Sequence, residues 1–286
     1  MSLASVIVPT RDRLDSLRVA LEALRRQVGA GRFELIVVDD GSADGTGGFL
    51  AEAAGRGVLL RVEGEGRGAA AARNAGIRRA RGEVIACTDD DCEVPPDWLA
   101  RLRDRLVETG AAAVGGRVVA ARDAPRPARV SQAITNGIAR SLNAGPEAAF
   151  LTSNNVAYRS DALRRAGLFD EGFAGAGGEE RDLHERLREL GERLAYAPDV
   201  VVTHRPPMSW AGFVRQQAAY GRGARRYYAR RPRSGEARRR MAPLQYLRAF
   251  AAALGEARRE DRLALALGVP LSQAAVAWGY LRAPRP

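Results

Sequence analysis

Hydrophobic and polar positions alternate between two periods over residues 5–106. Nearly continuous apolar runs at 5–9, 33–38, 58–62 and 83–88 have the pattern of strands buried on both faces. Between them, apolar residues recur at three- and four-residue spacing. Leu14, Leu17, Leu21 and Leu24 share one helical face, and a second helix is expected from about Thr46 with Asp44 as its cap. A third helix is expected over 69–80, with Arg73 and Asn74 near its start, and a fourth carries Trp98, Leu99, Leu102 and Leu106. Strands and helices in regular alternation predict an α/β fold with a mostly parallel central sheet flanked by helices.

After Arg122 the pattern loosens. Residues 123–129 contain two prolines and read as an exposed loop. Residues 148–159 read as a strand that carries Asn154 and Asn155 inside it. Asparagine in an apolar strand costs stability unless it is bonded, so it either lines a site or satisfies a backbone group. The glycine-rich 172–178 precedes Glu179-Glu180-Arg181-Asp182, and Leu183, Leu187 and Leu190 carry a helix onward. Acids in a first helical turn complement the helix dipole; glycines just before them also suit a mobile active-site loop. Residues 200–204 form a last short strand, and Pro206-Pro207 separates a unit at 1–207 from a helical C-terminal region at 208–286. There, 210–230 read as a helix weakened at Gly221 and Gly223, and 230–240 as a basic linker. Residues 263–281 lack any charge and approach bilayer-spanning length. Ala, Gly, Ser, Gln and Pro270 dilute the run, so a shallow membrane-associated hairpin or a helix packed on the body is expected rather than a span.

Charge sharpens that division. The chain of 286 residues has a net charge of +11, yet residues 205–286 hold 17 arginines against four acids, and the remainder is close to neutral. A basic tail on a neutral body points to an anionic partner, or to solvated helix faces. The opening MSLASVIVPT has no basic segment leading into a long apolar one, so no signal peptide is expected. Cys87 and Cys92 make no disulfide framework, and with only His184 and His204 they make no zinc pattern; a reducing cytoplasm fits. A dinucleotide fingerprint is absent from the first strand-helix turn, which reads Thr10-Arg11-Asp12-Arg13. Neither a phosphate-binding P-loop nor a serine nucleophile elbow occurs.

The densest chemistry is Asp89-Asp90-Asp91, at the end of the fourth strand. Adjacent carboxylates repel and resist desolvation, and a divalent cation at the mouth of a strand makes them tolerable. In open α/β sheets, ligands bind outside the carboxyl ends of the strands. A solvated acidic turn that caps the following helix is the alternative.

In order and spacing, several segments together resemble the family 2 glycosyltransferases of the GT-A fold, over about 5–220. They are SVIVPTRDR, VVDDGSADGT, GAAAARNAGIRRARGE, TDDDCEVPPDWL, SNNVAYRSDALRRAGLFDE, GGEERDL, VVTH and FVRQQAAYGRG. The resemblance implies inverting transfer from a nucleotide-diphospho-sugar donor to a lipid-linked, polysaccharide or other surface-glycan acceptor, with Mn²⁺ or Mg²⁺ as cofactor. It puts Pro9, Thr10, Arg11 and Asp40 against base and ribose, with Asp39 close by; Arg73, Asn74 and Asn155 join the donor site. The triplet corresponds to the family's D-x-D element, with Asp90 and Asp91 near the metal and Asp89 near the ribose. His204 stands where many members carry a metal-reaching histidine.

The family's Glu-Asp pair falls on Glu179-Glu180, which makes Glu180 the expected catalytic base. Aspartate is commoner at that position, and the extra methylene leaves Glu179 as the alternative. A location in the cytoplasm, peripheral at the inner face of the plasma membrane, is expected from the tail. An inactive membrane scaffold and an arginine-rich nucleic-acid binder are the competing classes; the tail shows no nucleic-acid motif.

Overall fold

A computed structural model describes residues 3–145, 147–173, 177–230 and 243–284. One eight-stranded sheet has the order β3-β2-β1-β4-β7-β6-β8-β5. The strands are β1 (Ala4–Thr10), β2 (Phe33–Asp39), β3 (Leu60–Glu63), β4 (Val84–Cys87), β5 (Cys92–Glu93), β6 (Ala113–Ala120), β7 (Val156–Arg159) and β8 (Leu194–His204). β1 to β4 are mutually parallel, as expected. β7 runs antiparallel to both β4 and β6, and β8 returns parallel to β6. The sheet is therefore mixed: reversed β7 lies between two parallel sets, and the two-residue β5 at the edge runs antiparallel to β8.

Strand alternation sorts the core into two layers. Val6, Val8, Leu35 and Val37 pack on one face with α1 (Leu14–Arg25), α2 (Thr46–Gly55) and α4 (Trp98–Thr109). Ile7, Ile36, Val38 and Ile85 face the other layer, formed by α3 (Ala69–Arg79), α6 (Ser160–Arg165) and α7 (Glu179–Glu189). Burial on both faces explains why these strands are apolar throughout. Asp44 ties two helix starts together: one oxygen accepts from the Leu14 N–H at 3.0 Å and the other from the Thr46 N–H at 3.1 Å.

Three expectations fail in the second half. β6 interrupts its apolar pattern with Gly115, Gly116 and Arg117 and was not foreseen as a strand. The loop expected at 123–129 is instead the approach to and first turn of α5 (Arg126–Leu142). Proline is accommodated there because first-turn N–H groups have no intrahelical partner. Of the strand expected at 148–159, only β7 is formed.

The C-terminal region packs onto the body. α8 (Trp210–Arg230) is continuous through Gly221 and Gly223, and α9 (Pro243–Glu256) lies on α5. The expected basic linker lies mostly outside the described residues. After a short 3₁₀ turn at Arg259–Asp261, α10 (Arg262–Arg282) is one helix running through Pro270, which rules out the hairpin. A side chain at Gly221 would strike the Val276 carbonyl, and one at Gly279 the Ala218 carbonyl, so these glycines let α8 and α10 approach closely. Buried Ser272 donates to Gln217 Oε1 at 2.7 Å across the same interface.

Candidate active site

The carboxyl ends of β1, β2 and β4 bring Thr10, Asp39, Asp40 and the Asp89–Asp91 turn to one edge of the sheet. The two-residue β5 then pairs with the end of β8, with Cys92 opposite His204. That pairing sets the His204 ring against Asp91, with Nε2 3.2 Å from Oδ1. On its other side, His204 Nδ1 is 3.0 Å from Gln132 Oε1 on α5.

Asp90 and Asp91 share a partner that sequence reasoning passed over. Arg13, immediately before α1, places Nη1 2.5 Å from Asp91 Oδ2 and 3.2 Å from Asp90 Oδ1. Thr10 donates to Asp90 Oδ2 at 2.8 Å. Burial pushes Asp90 up to about 7, against the pull of Arg13. Burial acts on Asp91 too, but His204 and Arg13 outweigh it and hold the carboxylate at about 2. Burial alone would lower His204, yet Asp91 raises it above its ordinary value.

A carboxylate oxygen of Asp91, a ring nitrogen of His204 and Cys92 Sγ lie within 4.8 Å of one another. Burial, then the charges of Asp91 and Asp89, drive the Cys92 thiol well above its ordinary value, so it stays protonated. The usable donors are an oxygen and a nitrogen, a set that fits Mn²⁺ or Mg²⁺ better than a thiolate-seeking metal. Asp90, expected at the metal, lies outside this group and points to Thr10 and Arg13.

A second cluster surrounds Arg73 on α3. Its Nη2 donates to Asp89 Oδ1 at 2.7 Å, and its Nη1 is 3.8 Å from Glu179 Oε1. Arg73 is 3% exposed, yet Nε and Nη1 have no hydrogen-bond partner. Unpaired buried donors are costly, so this guanidinium suits an incoming acceptor oxygen. Glu179 and Glu180 open α7, as the sequence predicts. Glu179 is buried, accepts from the Gly177 N–H at 2.9 Å, and is pushed up to about 8 by burial and by the charge of Glu180. Glu180 is half-buried and accepts from Ser153 Oγ at 3.0 Å.

The remaining candidates divide. Asp40 accepts from the N–H groups of Gly66 and Gly68 at 2.9 and 2.8 Å, which fixes the glycine loop after β3. Asp39 accepts from the Ser42 N–H at 3.0 Å. Pro9 is half-buried, and exposed Arg11 reaches the Gly66 carbonyl at 3.4 Å. Asn74 is held by other partners: it bonds the backbone of Phe169 in both directions and donates to Glu171.

Asn155, expected in the donor site, is fully buried in the sheet. Its Nδ2 donates to the carbonyls of Arg117 and Val200, and its Oδ1 accepts from Trp98 Nε1. The β6–β8 register slips between Gly116 and Arg117, and Asn155 satisfies carbonyls at that slip. It is the backbone-satisfying alternative that the sequence allowed. Arg13, Gln132 and Ser153 were not foreseen as site residues. Arg13 carried a signal, as a basic residue closing the first strand-helix turn in a chain with an acidic triplet; Gln132 and Ser153 carried none.

Comparison with known proteins settles the family. The family model for glycosyl transferase family 2 matches residues 5–167. This chain belongs to glycosyl transferase family 2. It is 30% identical over 237 residues to the pre-mycofactocin glycosyltransferase of Mycobacterium tuberculosis, covering 80% of this chain and 48% of that protein. The chain thus spans about half the length of that relative. It is 28% identical over 229 residues to the glycosyltransferase AglE of Haloferax volcanii, covering 78% of this chain and 73% of that one. Among solved structures, the mannosyltransferase of Pyrobaculum calidifontis in complex with GDP-Man and Mn²⁺ is similar, with a TM-score of 0.65 at 21% identity. The match covers 98% of this chain and 86% of that one, and it shows the GT-A fold. The chain is a glycosyltransferase by family.

Proposed function

We propose that this chain is an inverting, metal-dependent glycosyltransferase that moves a sugar from a nucleotide-diphosphate donor to a lipid-linked or surface-glycan acceptor. The observation that carries the reading is the pair of carboxylate groups joined by Arg73, whose buried guanidinium has two nitrogens without a hydrogen bond. Residues 1–207 form the catalytic unit in this reading, and 208–286 buttress it and meet the inner face of the membrane.

Asp91 and His204 would hold the divalent cation, with Asp90 beside them. When bound, such an ion supplies positive charge to the departing diphosphate. Thr10, Asp39 and Asp40 bound the nucleotide side of the cleft, with Pro9 and Arg11 at its rim. Arg73 and Asp89 face the sugar and its phosphates. Glu180 takes the proton of the acceptor hydroxyl. That oxygen bonds to the anomeric carbon while the bond from this carbon to the diphosphate oxygen breaks, releasing nucleoside diphosphate with inversion. Glu180 suits the role better than Glu179, because a general base must touch the acceptor and Glu179 is buried against Arg73.

The test is a hydrolysis screen of UDP-, GDP- and dTDP-sugars with Mn²⁺ or Mg²⁺, reading released nucleoside diphosphate. Metal-dependent release from one donor is expected, abolished by chelator. Failure of every donor to bind or turn over overturns the reading.

A further inference from the structure

We infer that α10 lies flat in the surface of an anionic bilayer, using the helix face turned away from α8, and so holds the active site one helix layer above the lipid. This rests on the membrane-side reading above.

One stripe of α10 packs inward: Leu265, Gly268, Ser272, Ala275 and Gly279 are buried. The opposite stripe is apolar and uncovered. Leu263, Leu267, Leu271, Trp278 and Leu281 are exposed by 73, 66, 41, 55 and 74%. Their spacing of four, four, seven and three puts them on one face. Trp210, at the start of α8, extends it, because it lines a groove of about 420 Å³ with Leu263, Leu267 and Leu271. Contiguous exposed apolar surface of this kind marks a contact surface.

Charge around the stripe selects the partner. Arg126 and Glu260 line the groove, Arg259 in the preceding turn and Arg262 flank the start of α10, and Arg282 at its end lies 5.7 Å from the Trp278 ring centroid. Asp261 is buried against Arg129 at 2.7 Å, which leaves Glu260 as the one exposed acid between Arg258 and Arg282. An apolar stripe with arginines at both ends and tryptophans along it is the arrangement of a helix lying in a lipid interface. The helix is long and apolar enough to span a bilayer. A span would strip away its inward contacts with α8, including the buried Ser272–Gln217 bond, so the flat orientation is the one compatible with the fold.

α5 and α8 link this face to the chemistry. Val130 of α5 meets Gly268, while Gln132 of the same helix holds His204. Gly221 of α8 meets α10, while the neighbouring Tyr220 lies against Gly177, just before the Glu179-Glu180 pair. A helix with its side chains is about 10 Å across. A sugar acceptor anchored in the same bilayer is thereby presented close to Glu180.

The full chain supplies its own reporters, since Trp98 is fully buried and Trp210 and Trp278 are both on the proposed face. Vesicles of phosphatidylglycerol and phosphatidylcholine should shift tryptophan emission to the blue at low salt, and high salt should weaken the effect. The double variant Leu263→Glu/Leu267→Glu changes exposed side chains. It should bind vesicles at least tenfold more weakly with unchanged circular dichroism and unchanged donor hydrolysis in the absence of vesicles. No shift with anionic vesicles at low salt overturns the proposal, as does a double variant that binds equally well. Conversion of a dimer to a monomer by the same substitutions also overturns it, because the stripe is then a contact between two copies. Donor hydrolysis measured on the same samples without vesicles reports on the transferase reading separately.

Discussion

Asp91 in the acidic triplet and Glu179 at the start of α7 carry the same functional group, yet their surroundings drive them apart, while Asp90, buried beside Asp91, is pushed up to about 7. Asp91 is flanked by Arg13 and His204 and stays ionised to about pH 2. Glu179 lies against burial and a second carboxylate, and holds its proton to about pH 8. A carboxylate kept ionised among cations is suited to a metal. A carboxyl kept neutral beside a less buried neighbour leaves that neighbour, Glu180, as the group that meets the acceptor proton. Environment, more than residue type, assigns the roles.

The largest effect should come from the proton-handling side. Glu180→Gln keeps size and hydrogen bonding but cannot take a proton, so turnover should fall by about 10²–10⁴-fold with donor affinity little changed. A greater loss for Glu179→Gln moves the base one residue back and reverses the comparison. Next comes the metal side. Asp91→Asn should raise the Mn²⁺ concentration for half-maximal donor hydrolysis by about 100-fold, more than Asp90→Ala does, because second-shell changes alone cost about 10–100-fold in affinity. Equal losses would put Asp90 in direct contact with the ion.

Arg13 sharpens the same contrast. Its guanidinium neutralises Asp90 and Asp91 in the absence of a metal, so Arg13→Gln should tighten Mn²⁺ binding by about tenfold, worth about 1.4 kcal/mol. The same change should lower the melting temperature of the metal-free chain. Weaker Mn²⁺ binding in the variant would show that Arg13 supports the loaded site instead.

The smallest effect concerns pH. The folded-state value of Glu179 is raised above its ordinary 4.5 to about 8. The folded chain therefore binds more protons than the unfolded one between these values, and stability declines as pH rises across that window. Glu179→Gln should lessen that decline in thermal melts, most clearly between pH 7 and 8, and leave the part that Asp90 contributes below about pH 7. It should also flatten a few-fold loss of donor affinity above pH 8, where the ionised glutamate competes for Arg73.

The order β1–α1–β2–α2–β3–α3–β4 was legible because each strand is apolar on both faces and each helix has a plain period. β6 was hidden by Gly115 and Gly116, whose missing side chains admit Leu151 and Asn155. α5 was hidden by prolines that read as loop residues. In the site, the acidic triplet and Glu179-Glu180 were readable as motifs. The contact of His204 with Asp91 depends on pairing Cys92 with His204 across more than a hundred residues, which local pattern does not encode. Asn155 illustrates the limit from the other side. Its polarity within an apolar stretch signalled a special role, and only the slipped register shows that the role is to satisfy the sheet.

The division of labour is tested most directly by calorimetric titration of Mn²⁺ into Glu180→Gln and Asp91→Asn, side by side, with a nucleoside diphosphate present. Glu180→Gln should bind the ion within about twofold of the unmodified chain, while Asp91→Asn should bind it about 100-fold more weakly, a loss of about 2.8 kcal/mol. Equal weakening in both variants, or none in Asp91→Asn, would contradict the separation of a metal-holding cluster from a proton-taking one.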